Sequence, residues 1–286
     1  MSLSEEIFRK IYIDLIEKGV KTSPRGQESI EIENYTYDLP PFVRFTSFKS
    51  RNFNLDYVKR EFLWYLKGDK YDVSISAHAK MWAGLINIDG SINSNYGQYI
   101  FKVNPVMIGL EFPTSQFNNV IDQLKADKDS RRASMMILSK DHLLSKTNDV
   151  PCTYSINFRI RDNTLNMSVR MRSQDLFYGM ANDAPAFSFI HELMLNTLKE
   201  FYPELKYGNY HHSVDSAHAY ARHFELLEKI TGLNMDNSEP VYKPDEYIEI
   251  TCPKISGPAE ANFLIAYKLD EIPEDFKFIR WLTTLN

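Results

Sequence analysis

The sequence predicts an α+β fold, because helical and alternating hydrophobic patterns follow one another in irregular order. Two stretches, residues 55–67 and 185–202, carry apolar residues at helical spacing. Between them, residues 153–171 alternate apolar and polar side chains on both sides of "DNT", which is typical of a two-stranded hairpin. The chain has 286 residues, 43% of them hydrophobic, and no internal repeat. We therefore interpret residues 1–286 as one domain.

The remaining elements follow from local signals. The start, "MSLSEEIFRKIYIDLIEKG", predicts an amphipathic helix rather than a basic signal peptide. Asn54 is a plausible N-cap and Gly68 a stop for the helix between them. Residues 77–101, rich in Asn, Gly and Ser, predict an ordered loop region around a "DG" turn. The five prolines beyond Asn237 favour extended segments and one short helix near "EDFKFIRWL".

Charge and cysteine content limit the kinds of binding partner and compartment that the sequence favours. A formal net charge of −5 argues against a nucleic-acid polymer, but a local arginine cluster could still bind a small anion. Cys152 and Cys252 are the two cysteines, and no CxxC pair occurs. This pattern favours neither a disulfide framework nor a thiolate metal site, and it indicates a reducing compartment. We therefore expect a cytoplasmic protein, and the sequence has no apolar run long enough to span a membrane.

Cys152 and Arg172 lie equally far from residue 162 in the hairpin turn, so both should reach its open end. Matching the apolar faces of the strands requires paired residue numbers with an odd sum. That register places Cys152 opposite Met171 or Ser173 and Arg172 on the other face. A nearby arginine would lower the pKa of the thiol and favour the nucleophilic thiolate. The alternative is a cysteine buried as a small hydrophobic residue.

Six short motifs occur in a fixed order, and together they resemble the thymidylate synthase superfamily from about Arg25 to His223. They are "REFLWYLKGD" at 60–69, "NSNYGQ" at 93–98, "DSRR" at 129–132, "PCT" at 151–153, "RSQD" at 172–175 and "DSAHAYARH" at 215–223. Within the superfamily the chain looks most like the deoxycytidylate hydroxymethylase branch, through "PCT", "NSNYG" and the aspartate of "ANDAP". Residues 237–286 do not match the usual ending of the family.

The resemblance implies a mixed β-sheet packed with helices and a homodimer that forms through the sheets. It implies that Cys152 adds to C6 of a pyrimidine nucleotide and that 5,10-methylenetetrahydrofolate, as co-substrate, supplies a one-carbon unit to C5. No metal is implied. Arg25 and Arg172 would bind the nucleotide phosphate, together with Arg131 and Arg132 donated by the partner subunit.

Further roles are carried over from the family in the same way. Glu61 would organise water and proton transfer at the base, and Tyr96 would lie near the thiolate. Ser173, His218 and Tyr220 would contact the sugar or phosphate. Trp82 would stack on the folate or line the base pocket, Asp175 would bind the pterin, and Arg51 would contact the glutamate tail of the folate. Alternatives are a surface position for Glu61, a core position for Trp82 and an exposed cation for Arg51.

Asp183 stands eleven positions after Arg172, where synthases have an asparagine. An amide can serve both O4 and N3–H of uracil, whereas a carboxylic acid suits the amino group and unprotonated N3 of cytosine. Protonating N3 would also relieve the charge that builds on the ring when the thiolate attacks. Two alternatives stay open: Asn182 or Asp183 could be a helix N-cap, or a one-residue slip could make Asn182 the base-reading residue.

The sequence therefore predicts a dCMP 5-hydroxymethylase, with methylation of dUMP or dCMP as the alternative. Hydroxymethylation is favoured by Leu85, which stands where synthases have a second tryptophan, by Thr153 after the cysteine, and by the unusual ending. Two minor alternatives are a nucleotide-binding protein without activity and a metal-dependent hydrolase. The metal interpretation would use a set of candidate ligands near the sixth motif, namely His211, His212, Asp215, His218 and His223.

Overall fold

The computed structural model describes residues 1–103 and 113–285, and it confirms the α+β class. The strands are β1 (Val20–Thr22), β2 (Ser29–Leu39), β3 (Ser134–Met136), β4 (Thr153–Arg161), β5 (Thr164–Met171), β6 (Gln174–Asp175) and β7 (Lys206–Tyr220). They form a mixed sheet in the order β1-β2-β7-β5-β4-β3, and β6 pairs with β7. The β5–β7 and β6–β7 pairs are parallel, while the other pairs are antiparallel.

Helices pack on this sheet and at its edges. They are α1 (Leu3–Lys18), α2 (Leu55–Lys67), α3 (Gly97–Ile100), α4 (Gln116–Ala126), α5 (Lys140–Leu144), α6 (Gly179–Leu198), α7 (Phe224–Thr231), α8 (Pro258–Ile265) and α9 (Lys277–Thr283). Helix α6 is buried along nearly its whole length and is the centre of the core. Within residues 1–103 and 113–285, every helix is too short or too polar to span a bilayer.

Helix α2 has the predicted ends. The Asn54 side chain accepts a hydrogen bond from the Tyr57 backbone N–H at 2.9 Å, and Gly68 stops the helix with φ of 58°. The predicted N-terminal helix is also present as α1. In the tail, α9 confirms the predicted helix, but α8 was not predicted, because it is short and begins directly at Pro258.

Helix α6 begins at Gly179, six residues before the predicted start at Pro185. Asn182 and Asp183 therefore lie inside the helix, and the interpretation of either as an N-cap is wrong. A proline in a helix removes one backbone hydrogen bond, here to the Ala181 carbonyl. Burial of the flanking apolar residues compensates for that loss, which is information that the local sequence does not carry.

The predicted hairpin is formed by β4 and β5, with Asp162 and Asn163 at positive φ in its turn. Pairs such as Ile156–Val169 have the expected odd sum, but a β-bulge between Thr153 and Ser155 shifts the register by one residue. Beyond the bulge, the Arg172 N–H donates to the Cys152 carbonyl at 2.8 Å. The prediction that Arg172 lies on the other face is therefore wrong, because one extra residue re-aims the end of the strand.

The segment after Asn237 packs back onto the core. Arg44 forms a buried ion pair with Glu192 of α6 at 2.9 Å, and the other oxygen of Glu192 accepts the Ile255 N–H at 2.7 Å. Glu260 of α8 accepts the N–H of Ile279 at 3.1 Å, which joins α8 to α9. Buried carboxylates are thus paired with donors from the tail.

Gly97 allows α3 to pack against the end of α2. A Cβ at this position would lie 1.6 Å from the Tyr65 carbonyl oxygen. We expect Gly97→Ala to lower the free energy of unfolding by about 1–3 kcal/mol or more, since the backbones must separate. Gly84 is the matched control, because a Cβ there meets no atom within 4 Å. Thermal denaturation of both variants tests this, and equal melting temperatures would contradict it.

Candidate active site

Five groups that the sequence leaves far apart meet at one end of the sheet. Helix α2 carries Glu61, the segment before β4 carries Cys152, the end of β5 leads to Arg172, β6 carries Gln174 and the start of α6 carries Asp183. Their proximity is evident in their electrostatics, because the Asp183 carboxyl perturbs the pKa of both Glu61 and Cys152.

The Cys152 thiol is half-buried and packs against the core. Arg172 Nη2 lies 3.6 Å from its Sγ. Burial raises the pKa of the Cys152 thiol, while Arg172 and, more weakly, Arg25 lower it. The expected effect of the arginine is therefore present, but desolvation outweighs it and the net pKa lies above its ordinary value. The thiolate needs a further base or positive charge to form at neutral pH.

Arg172 also holds the segment that carries the nucleophile. Its Nε donates to the Pro151 carbonyl at 3.1 Å and its Nη2 to the Val150 carbonyl at 2.7 Å. Arg25 is exposed in a turn after β1. Arg131 and Arg132 are exposed beyond α4, and neither side chain forms an ion pair within residues 1–103 and 113–285. The fold thus brings Arg25 and Arg172 near Cys152, but not Arg131 and Arg132 of the same chain.

Glu61 is buried, so the surface alternative is wrong. Its Oε1 accepts a hydrogen bond from Tyr57 Oη at 2.8 Å, and Tyr57 Oη in turn accepts one from Trp82 Nε1 at 2.7 Å. Burial raises the pKa of Glu61 to about 8; the Tyr57 bond opposes this shift and the Asp183 carboxyl adds to it. The acid is consequently mostly protonated near neutral pH and can donate a proton, after which the carboxylate can accept one.

Asp183 is partly accessible, and its Oδ2 accepts a hydrogen bond from Gln174 Nε2 at 2.9 Å. Burial raises the pKa of Asp183 to about 7; Gln174 opposes the shift and Asp175 adds to it. The carboxyl group is therefore available in both protonation states near pH 7. The Asp183 carboxyl raises the pKa of both Cys152 and Glu61, so it is electrostatically coupled to both.

The residues expected at the folate lie beside this cluster. Asp175 Oδ1 accepts the backbone N–H groups of Phe177 at 2.8 Å and Tyr178 at 3.2 Å. Arg51 is buried, not exposed, because its Nε donates to the Phe177 carbonyl at 3.1 Å and its guanidinium packs over three rings. Trp82 is likewise buried, with its ring edge-on to Trp64 at 5.2 Å.

The remaining predicted residues line the same region. Tyr96 is buried and stacks on Tyr65 at 5.4 Å, and the Cys152 thiol contributes to the raised pKa of its phenol after burial itself. His218 pairs with Asp175 across β6 and β7, and its ring is edge-on to Tyr220 at 5.1 Å. Ser173 is half-buried between Arg172 and β6.

The candidate metal ligands are engaged separately. His211 Nδ1 lies 2.7 Å from Asp38, His212 stacks on a tyrosine ring, and Asp215 accepts hydrogen bonds from Tyr154 and Arg170. The described part of the chain contains no group of three or more His, Cys, Asp or Glu residues arranged to hold a metal ion. These side chains therefore do not converge as the hydrolase interpretation requires.

Several polar residues of this site were not predicted from the sequence. Tyr57 stands four residues before Glu61 on the same face of α2, so helical spacing could have found it. Asp149, three residues before Cys152, accepts hydrogen bonds from the Ser94 N–H and hydroxyl at 2.6 and 2.5 Å. Tyr37, which donates to Gln174, is 137 residues away from it and carries no local signal.

The chain is similar to known proteins in sequence and in fold. The family model for thymidylate synthase matches residues 6–242. A deoxyuridylate hydroxymethyltransferase of Bacillus phage SP01 is 29% identical over 264 residues, which is 88% of this chain and 67% of that protein. A deoxycytidylate 5-hydroxymethyltransferase of Enterobacteria phage T6 is 29% identical over 231 residues, which is 78% of this chain and 89% of that protein. Thermostable thymidylate synthase A from Bacillus subtilis shares the fold, with a TM-score of 0.65 and 18% identity over 80% of this chain and 83% of that one.

Replacing Glu61 with Gln should stabilise the protein in a pH-dependent way. The folded-state pKa of about 8 lies above the ordinary value of 4.5, so the folded state gives up its proton less readily than the unfolded chain. The cost to stability is absent below pH 4.5, grows as pH rises to about 8 and is constant above that. We expect Glu61→Gln to match the wild type at pH 4 and to exceed it by a few kcal/mol, roughly, at pH 8.5. Denaturant titrations at both pH values measure this difference, and a gap independent of pH would contradict the burial argument.

Proposed function

The chain belongs to the thymidylate synthase family, and from that premise we propose that it hydroxymethylates C5 of dCMP. The family membership makes it an enzyme that transfers one-carbon units to C5 of a pyrimidine nucleotide. The single observation that supports the cytosine substrate is the half-buried Asp183 carboxyl, whose pKa is raised to about 7 beside the thiol.

In this mechanism Cys152 attacks C6 of the base and makes C5 nucleophilic. Arg172 would lower the charge penalty of that attack, because its guanidinium lies 3.6 Å from the thiol and its hydrogen bonds hold the thiol segment in place. Glu61, protonated near neutral pH, would move a proton at the base and orient the water that completes the reaction.

The one-carbon unit comes from 5,10-methylenetetrahydrofolate, which the family uses as co-substrate. The residues near Asp175 fit a folate, because Tyr178 leaves an aromatic surface 48% exposed beside a carboxylate and the Arg51 guanidinium. Asp175 would accept hydrogen bonds from the N–H groups of the pterin, and Tyr178 would pack on a ring.

Asp183 fits cytosine because a neutral carboxyl offers one donor and one acceptor. The donor would face ring N3, and the acceptor would face the amino group. Transfer of the proton to N3 would relieve the negative charge that forms when Cys152 attacks. An acid with an ordinary pKa would be ionised at pH 7 and could not supply that proton.

Two features support water, rather than hydride, as the final reactant. Leu85 is a half-buried aliphatic residue in the place of a second tryptophan. The last described residues are held at Lys59 of α2, whose Nζ donates to the Thr284 carbonyl at 2.9 Å. Lys59 and Glu61 point to nearly opposite sides of α2, because two helical steps rotate by about 200°. The tail therefore packs on the side of α2 away from Glu61.

The homodimer belongs to the same proposal. Helices cover one face of the sheet, while the other face presents polar side chains such as Asp38, Arg170 and His211. A second copy packed on that face would bring Arg131 and Arg132, which have exposed side chains, toward the partner's phosphate site. We expect the enzyme to act in the cytoplasm, where its nucleotide and folate substrates would be available.

Product analysis tests the proposed function. We expect incubation with dCMP and 5,10-methylenetetrahydrofolate to give 5-hydroxymethyl-dCMP and tetrahydrofolate, as measured by mass spectrometry of the nucleotide and absorbance of the folate. A methylated nucleotide with stoichiometric dihydrofolate would support the methylase instead. Turnover of dUMP in preference to dCMP would instead indicate deoxyuridylate as the substrate, as in the name of the phage SP01 relative. Cys152→Ser is the control, and it should abolish product while changing nucleotide affinity less than about tenfold, because the phosphate contacts do not need the thiol.

Asp183→Asn should move the base preference from cytosine toward uracil. The amide serves O4 and N3–H of uracil but cannot protonate N3 of cytosine. Sites that hydrogen-bond their substrate discriminate by orders of magnitude when one partner is left unpaired. The measurement is kcat/KM for dCMP and dUMP in both proteins. A variant that retains the wild-type preference would exclude Asp183 as the base-reading residue and direct attention to Asn182.

A further inference from the structure

Gln174 links Asp183 to Tyr37, a residue that has no role in the proposed mechanism. Its Oε1 accepts a hydrogen bond from Tyr37 Oη on β2 at 3.0 Å, and its Nε2 donates to Asp183 Oδ2 on α6 at 2.9 Å. The side chain is buried, with 2% exposure. A buried amide between a phenol and an acid is therefore part of the wall behind the base-reading carboxyl.

The surroundings determine which end of the Gln174 amide faces Asp183. Nε2 also lies 3.7 Å from Met171 Sδ, a weak acceptor. Rotating the amide by half a turn would place Oε1 against that sulfur and against the Asp183 oxygen, while Nε2 would face the phenol proton. Burial keeps the pKa of Tyr37 well above its usual value, so the phenol remains a donor throughout the neutral range.

This orientation makes the two oxygens of Asp183 unequal. Oδ2 accepts an N–H from Gln174 at 2.9 Å. In the neutral acid the carbonyl oxygen is the better acceptor, so the N–H of Gln174 favours the form with the proton on Oδ1. Without Gln174, the proton could occupy either oxygen.

The position of that proton distinguishes the two pyrimidines. Cytosine needs a donor at N3 and an acceptor at its amino group, whereas uracil needs the reverse, an acceptor at N3–H and a donor at O4. A carboxylic acid free to carry its proton on either oxygen can serve both bases. An acid with its proton fixed on one oxygen serves only one of them.

We propose that Gln174, oriented by Tyr37, is a specificity-determining positioning residue that fixes which oxygen of Asp183 carries the proton and so separates cytosine from uracil. The inference rests on the proposed nucleotide chemistry, but it applies whichever base the wild type prefers. Gln174 acts through Asp183 and need not touch the substrate itself.

Several titratable groups face Asp183 from the surrounding elements and are electrostatically coupled to it. Those with an electrostatic effect on or from Asp183 are Tyr37 on β2, Tyr57, Glu61 and Tyr65 on α2, Tyr96 before α3, Cys152 before β4, Asp175 on β6 and Tyr210 on β7. None of them donates a hydrogen bond to Oδ2 among the described residues, so the asymmetry of the carboxyl comes from Gln174.

The test measures equilibrium binding of dCMP and dUMP by calorimetry, together with kcat/KM for both nucleotides. Gln174→Met has a similar volume but no N–H, and we expect its dCMP/dUMP preference to move toward unity by about tenfold or more, the loss of one well-placed hydrogen bond. Tyr37→Phe retains the amide but removes the donor that orients it, so it should move the ratio in the same direction.

The pH profile separates positioning from packing. The Gln174 bond lowers the pKa of Asp183, so its removal should shift the basic limb of kcat/KM for dCMP to higher pH. Leu176→Val is the matched control, because it reduces packing two residues away at a fully buried side chain. We expect it to lower the melting temperature without changing the ratio or the pH limb.

Unchanged base preference in both Gln174→Met and Tyr37→Phe would overturn the inference, as would an equal change in Leu176→Val. Failure of the proposed function has a different signature, namely no turnover of either nucleotide by the wild type with 5,10-methylenetetrahydrofolate. In that case the calorimetric preference for dCMP or dUMP still decides the inference, since binding of the base does not require the one-carbon transfer.

Discussion

Two carboxyl groups, Glu61 and Asp183, are withdrawn from water beside one thiol, and the rest of the site is arranged around that constraint. An ionised acid loses much of its hydration when it is buried, so both acids keep their protons to about neutral pH or above. Each acid also raises the cost of charging its neighbour. Both acids are hydrogen-bonded by neutral donors: Tyr57 donates to Glu61, and Gln174 donates to Asp183. Neutral donors orient the acids without forcing them to ionise.

Each donor in turn accepts a hydrogen bond from an aromatic side chain. Trp82 donates to Tyr57, and Tyr37 donates to Gln174. One pair of hydrogen bonds involves α2 and the loop after it, and the other involves β2, β6 and α6. Helix α6 lies between them and supplies both Asp183 and the apolar surface on which the tail packs. A change in the packing of α6 would therefore affect the acids and the tail together.

The nucleophile depends on a local departure from regular pairing. The bulge before Ser155 turns the end of β4 so that Arg172 reaches the thiol and the two carbonyls before it. Because the arginine already bonds those carbonyls, it holds Cys152 in place and opposes the effect of burial on the thiol at the same time. Helix α9 packs beside Lys59, on the side of α2 away from Glu61.

The sequence alone predicts the class of fold, the ends of α2, the hairpin and the order of the motifs, because caps, turns and periodicity act over a few residues. It also placed Cys152, Glu61, Arg172 and Asp183 in one family pattern. Four features become apparent only in the folded molecule: the pKa values of the acids, the facing of Arg172, the early start of α6 and the buried position of Arg51. These depend on a bulge, on burial and on partners distant in the chain, such as Tyr37 for Gln174. Desolvation and long-range hydrogen bonds have no local signature, so no pattern along the chain could supply them.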